Sequence, residues 1–220
     1  MNTPQGRGPA EGLTPENALL VLVDHQAGLM SIIRDMDPRE VENNVLGLAK
    51  AARTLNVPVV LTSNVEWGIN GRIMPRLRRI FPDQPIISRP GIVNPYSWPG
   101  FRDAVAASGR RNLIIAGVTA STGLLLPAMD LSHEGYDVHA VIDACGAEST
   151  IARDMAVATM LHAGVKARTW FSVTAELLGD WRCDLDRGSP LAFGAIHDHL
   201  TTWGHLLDKA IDFECAAIES

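Results

Sequence analysis

Four short, nearly unbroken apolar runs limit this chain to very few folds: Ala18–Val23 (ALLVLV), 57–62 (VPVVLT), 113–118 (LIIAGV) and 137–142 (DVHAVI). A strand with one wet face alternates apolar and polar residues. These runs do not alternate, so both faces are covered and the sheet is expected to be parallel. A fifth run at 166–171 (KARTWF) and a weaker one at 85–88 complete the predicted strands. The intervals have helical spacing: 38–55 puts Val41, Val45, Leu48, Ala49, Ala52 and Leu55 on one face. Predicted helices at 101–108, 124–133 and 149–162 are each followed by a glycine stop, at Gly109, Gly135 and Gly164. Strand and helix in alternation predict a three-layer α/β/α sandwich around a mainly parallel central sheet.

One domain is expected from 220 residues, and no linker divides it. The predicted organisation is a loose tail at 1–15, the α/β domain at 16–180, and an extension at 181–220 that packs on the body or on a neighbouring subunit. A net charge of −6 argues against a nucleic-acid partner, which needs a basic field. No apolar run approaches the roughly 20 residues of a membrane span. Cys145, Cys183 and Cys215 are odd in number and form no CxxC pair, which suits reduced thiols and a cytoplasmic location.

In open parallel sheets ligands bind beyond the carboxyl ends of the strands, and three features fall there. Asp24 directly follows ALLVLV, where a poorly solvated carboxyl suits proton transfer, although an Asp after a strand also serves as a cap. Arg89 follows the weak strand and precedes a Pro-Gly turn; it could hold a substrate carboxylate or orient Asp24, but spacing alone favours a surface arginine. The turn Thr119-Ala120-Ser121-Thr122-Gly123 brings backbone N–H groups to a helix start, fit for an anion or oxyanion. Ser121 and Thr122 are expected to cap that helix, and neither sits in a GxSxG elbow. Pro127 lacks the N–H that would reach the Gly123 carbonyl, so the first turn is expected to be irregular. Cys145 is a tempting nucleophile, but a small buried Cys is the commoner use.

The ordered segments VLVDHQAGL, NNVLGLAK, WGINGRIMPRLRRIFPD, RPGIVNPYSW, IIAGVTASTG, GYDVHAVIDACG and TWFSVTAELLGDWR resemble the isochorismatase-like hydrolase superfamily, and in particular its YcaC-type branch of cysteine hydrolases. The resemblance runs from about Ala18 to Arg182. It implies a hydrolase acting on a small molecule, with site positions Asp24, Arg89 in place of the usual Lys, and Gly123 in place of the usual Cys. Arginine keeps the charge but does not shuttle protons, and glycine removes any acyl-enzyme at that position. True isochorismatases also carry Gly there and hydrolyse an enol ether with an Asp as general acid. The resemblance further implies a cis peptide at Val118–Thr119, supporting roles for Gln26, Trp67, Asn94, Tyr96, Val118, Thr119, Ser121 and Thr122, and a lid at Trp67 with Gly68 to Gly71.

No cofactor or metal is expected: the stretch Thr62 to Trp67, where the nicotinamidase branch keeps zinc-binding histidines, contains none. His197, His199 and His205 suit a solvated segment better than a ligand set. The family's ring-like or stacked assemblies imply a homo-oligomer. The alternative to an enzyme is a catalytically degenerate small-molecule-binding or scaffold oligomer of the same fold.

Overall fold

The computed structural model describes residues 12–180 and His199. The first eleven residues of the predicted tail lie outside the described residues, as does the 181–220 extension apart from His199. That extension includes Trp181, Trp203, His197 and His205. The elements run in the order β1 (Ala18–Val23), α1 (Ala27–Met30), α2 (Pro38–Thr54), β2 (Val59–Asn64), α3 (Pro75–Ile80), β3 (Ile86–Arg89), α4 (Pro99–Ala107), β4 (Asn112–Gly117), α5 (Leu125–His133), β5 (Asp137–Val141), α6 (Thr150–His162), β6 (Lys166–Arg168) and α7 (Trp170–Leu178). All six strands are parallel, in the order β3-β2-β1-β4-β5-β6. Helix α2 packs on α3 and α7, and α5 packs on α6, giving helical layers on the two faces. The three-layer parallel fold expected from the apolar runs is the fold observed.

The central strands are buried along their whole length, as unbroken apolar runs require. Asp37 caps α2 by accepting the Arg39 N–H, and Pro38 fills its first turn. Gly47 lies in mid-helix because Trp170 of α7 rests on it: a Cβ there would come within 2.6 Å of the indole. Alanine normally strengthens a helix by about 0.5–1 kcal/mol over glycine. Overpacking a filled core costs about 1–3 kcal/mol, and the 5%-exposed indole has little room to retreat. Gly47→Ala is therefore expected to lose about 1 kcal/mol net in urea denaturation, reversing the propensity order.

One expected strand is corrected. Only Lys166–Arg168 pairs with β5, and the chain turns helical at Trp170. Thr169 and Ser172 form a reciprocal capping box, which satisfies orphan N–H groups that a longer strand would leave unpaired at the sheet edge. The arginine cluster after the glycine loop lies around α3, a helix with only Leu77 buried; Arg76 pairs there with Glu42 of α2 at 3.2 Å. Among the described residues no helix is long and apolar enough to cross a membrane.

Candidate active site

The chain returns across the sheet between β3 and β4, so β1 lies between β2 and β4 and the strand order reverses there. In open parallel sheets ligands bind at such a switch point, here at the carboxyl ends of β1 and β4. Register aligns Val23 with Thr62 on one side and Gly117 on the other, and Asn64 with Arg89. Asp24 is thus the first residue past β1, and the Val118 N–H donates to the Val23 carbonyl at 3.1 Å, joining the bend after β4 to the Asp24 peptide. Asp24 has φ +56°, a left-handed conformation unusual for a non-glycine residue, though Asp tolerates it better than most. Val65, just past β2, has φ +49°, which is costly for a β-branched side chain.

Arg89 is 1% exposed and Asp24 5%. Both Asp24 carboxylate oxygens accept from Nη2 of Arg89. Nε donates to Thr62 Oγ1 at 3.0 Å, and Nη1 donates to the carbonyls of Ile92 and Val93, the latter at 2.9 Å. All three guanidinium nitrogens are therefore engaged within the protein. This corrects two expectations: Arg89 is not a surface residue, and it has no nitrogen left for a substrate carboxylate. Its geometry orients Asp24. Burial pushes the Asp24 carboxyl up to about 6, against the opposing pull of Arg89. At neutral pH Asp24 is mostly a carboxylate.

The bend contains the expected cis peptide, Val118–Thr119. Residues Ala120–Leu124 form one π-helical turn before α5 begins, the irregularity foreseen from Pro127. Gly123 is buried and tightly packed: a Cβ would lie 2.5 Å from the Val118 carbonyl oxygen and 2.9 Å from its carbon. On another side the Gly123 carbonyl presses on Gly117, whose own Cβ would meet it at 2.8 Å. The missing side chain thus leaves close backbone contact rather than vacant space.

The hydroxyls of the turn do not cap the helix as expected. Ser121 Oγ donates to the Glu148 carboxylate at 2.8–2.9 Å. With that proton committed, Ser121 accepts from Thr119 Oγ1 at 2.9 Å, and Thr119 also contacts Thr122 Oγ1 at 3.1 Å.

Gln26 is wholly buried; its backbone N–H donates to the Asp24 carbonyl at 2.7 Å, while its side chain bonds elsewhere. Its amide accepts from the Asn64 N–H at 2.8 Å and donates to the carbonyls of Asn64 and Gly71. It thereby ties the end of β1 to β2 and to the glycine loop. That loop is also strapped by Gly28 N–H to Asn70 O and Ala27 N–H to Arg72 O, so only its tip is free, with Trp67 83% and Ile69 95% exposed. Asn94 and Tyr96 are turned toward α5: Asn94 donates to Asp130 at 2.7 Å, and the Tyr96 hydroxyl lies near the Glu134 carboxylate. Cys145 is fully buried, donates its thiol to the Val141 carbonyl at 2.9 Å, and has its pKa pushed far up by burial. It is a structural residue, in accord with the common use. His25 is likewise buried, lowered to about 4 by desolvation, and bonds through Nε2 to Ala144 O at 2.9 Å, linking β1 to the segment after β5.

Thr62 and Asn64 escaped sequence reasoning. Thr62 orients the arginine, while Asn64 Oδ1 holds the Gly91 N–H at 2.9 Å, shaping the turn that follows Arg89. Their signal was a polar TSN ending to an otherwise apolar strand.

This arrangement can hold a buried carboxylate at the switch point and keep it ionised, beside a bend of tightly packed backbone. The Isochorismatase domain family matches residues 18–171. "Probable hydrolase YcaC" of Escherichia coli K12 is 41% identical over 191 residues, covering 87% of this chain and 92% of that protein. A solved YcaC from Pseudomonas aeruginosa, with hexane-2,5-diol and covalent acrylamide, superposes with TM-score 0.86 at 41% identity, over 92% of this chain and 98% of that one. The Escherichia coli YcaC structure, described as an octameric hydrolase of unknown specificity, gives TM-score 0.88 at 38% identity, over 94% and 100%. With the family match spanning every strand of the sheet, the chain belongs to the isochorismatase family.

Proposed function

We propose that this protein is a small-molecule hydrolase that works without a cysteine nucleophile, with Gly123 standing where the family's cysteine is expected and Asp24 managing the protons. The supporting observation is the buried Asp24–Arg89 pair at the switch point, beside the Val118–Gly123 bend. Because Asp24 rests as a carboxylate at neutral pH, its first act is that of a general base. It takes a proton from water as the water oxygen attacks an ester or amide carbon, then returns that proton to the leaving group. Backbone N–H groups of the bend stabilise the developing oxyanion. Arg89 keeps Asp24 in place and charged, and does not itself exchange protons. The octameric Escherichia coli relative supports a homo-oligomer for this chain as well.

A panel of esters, amides and enol ethers tests the reading. For carbonyl hydrolysis, kcat/KM is expected to rise with pH through about 6, because the base is formed above the pKa of Asp24. Enol-ether cleavage needs the protonated acid, so its rate would fall through the same value, and the direction of the limb identifies the chemistry. Acrylamide, covalent in the Pseudomonas aeruginosa relative, is expected to leave no adduct on peptides spanning 113–148. An adduct on Ser121, Thr122 or Cys145 would overturn the non-covalent reading. No turnover across the panel, with small carboxylates still raising Tm, would make the protein a binding or scaffold oligomer instead.

A further inference from the structure

At the opposite end of the sheet lies a groove of about 400 Å3 between α4 and α5, over the amino ends of β4 and β5. Its apolar floor is Val105 and Leu131, both buried. One wall is Tyr96, stacked with the Arg102 guanidinium 5.8 Å from its ring centre. Arg102 also donates to the Tyr96 carbonyl at 2.7 Å, so guanidinium and ring hold each other in this wall. Tyr136 lines the groove as well. At the rim, Arg111 donates to the Gly135 carbonyl at 3.1 Å, whereas half-buried Arg110 has no ion-pair partner among the described residues. Three arginines thus face one glutamate in a chain whose net charge is −6. Phenol and guanidinium planes over an aliphatic floor suit a flat apolar body, and an unpaired guanidinium at the rim suits a carboxylate fork.

We propose that this groove is a second binding site, separate from the Asp24 site, for a small planar aromatic carboxylate whose acid group pairs with Arg110. The volume lies within the range of small-molecule pockets.

Titration calorimetry of the full chain with 2-naphthoate tests this directly. Saturable binding is expected, with affinity at least tenfold lower in Arg110→Ala, which removes the charge. Ala106→Trp fills the groove from an exposed position on α4 and is expected to weaken binding as much while keeping every arginine. Naphthalene-2-carboxamide, flat but uncharged, is expected to bind at least tenfold more weakly. Hydrogen exchange with 2-naphthoate bound is expected to slow across 102–111 and 131–136. The site is refuted by absence of saturation, by unchanged affinity in both variants, by equal binding of the carboxamide or of inorganic phosphate, or by protection centred on Asp24 and Arg89.

Discussion

Arg89→Met is expected to cost about 3–5 kcal/mol at pH 7, because it strands a carboxylate that is 5% exposed without its cation partner. The cost should shrink on acidification. With Arg89 gone, burial alone acts on Asp24, whose pKa then climbs above 6, and the orphan is neutralised by taking up a proton. Asp24→Asn strands the guanidinium instead, which stays charged at every accessible pH. Its loss should therefore be similar in size at pH 7.5 and grow by about 1 kcal/mol toward pH 5, because the parent gains stability as the raised Asp24 carboxyl takes up a proton and the variant has no such group. Asparagine is suitable because it tolerates the left-handed backbone at this position. The double variant leaves no buried charge and is expected to recover about 1–3 kcal/mol relative to the sum of the singles. Urea denaturation of all four proteins at pH 5 and pH 7.5 closes the cycle. Additive losses below 1 kcal/mol would mean that the two groups do not form a buried pair. Turnover should be lost in every variant that lacks Asp24, including the restabilised double, so a stability defect and a chemical one are separable.

That arginine marks the limit of what the sequence disclosed. The sheet was legible because the runs 18–23 and 113–118 have no polar residue to place on a wet face, so parallel pairing followed from the unbroken apolar pattern. Asp24 was legible for the same reason, as the first charge after such a run. Arg89 ends a four-residue edge strand whose other residues are at least partly exposed, and nothing local distinguishes it from a surface cation. It is buried by contacts 27 and 65 residues away in sequence, with Thr62 and Asp24. The partners of Gln26 were hidden in the same way, since Asn64 and Gly71 come within its reach only when β2 docks on β1. The start of α7 was misjudged because 166–171 carries β-branched and aromatic residues that suit a strand, while the competing signal was a two-residue capping box. Ser121 was taken for a cap because its nearest amides are local, and its actual acceptor, Glu148, lies 27 residues on.

Gly123→Ala is expected to lower stability by about 1–2 kcal/mol despite replacing a glycine in a helical turn. The propensity gain is about 0.5–1 kcal/mol. Against it stands a Cβ placed 2.5 Å from the Val118 carbonyl oxygen, a contact with backbone that is itself anchored through Val118 N–H to β1. A side chain in that position could rotate away; a peptide held to a central strand cannot, so overpacking dominates. At about 2–4 °C per kcal/mol for a chain of this size, Tm should fall by roughly 2–8 °C. Gly123→Cys carries the same Cβ and should pay the same steric penalty, so installing a thiol is not expected to create a working nucleophile. Acrylamide labelling of that variant, followed by peptide mapping and a melting curve, provides the check. A Gly123→Cys protein that melts with the parent and is rapidly alkylated at 123 would show that the bend is not built around a glycine. It would also remove the steric reason for expecting hydrolysis here to proceed without a covalent intermediate.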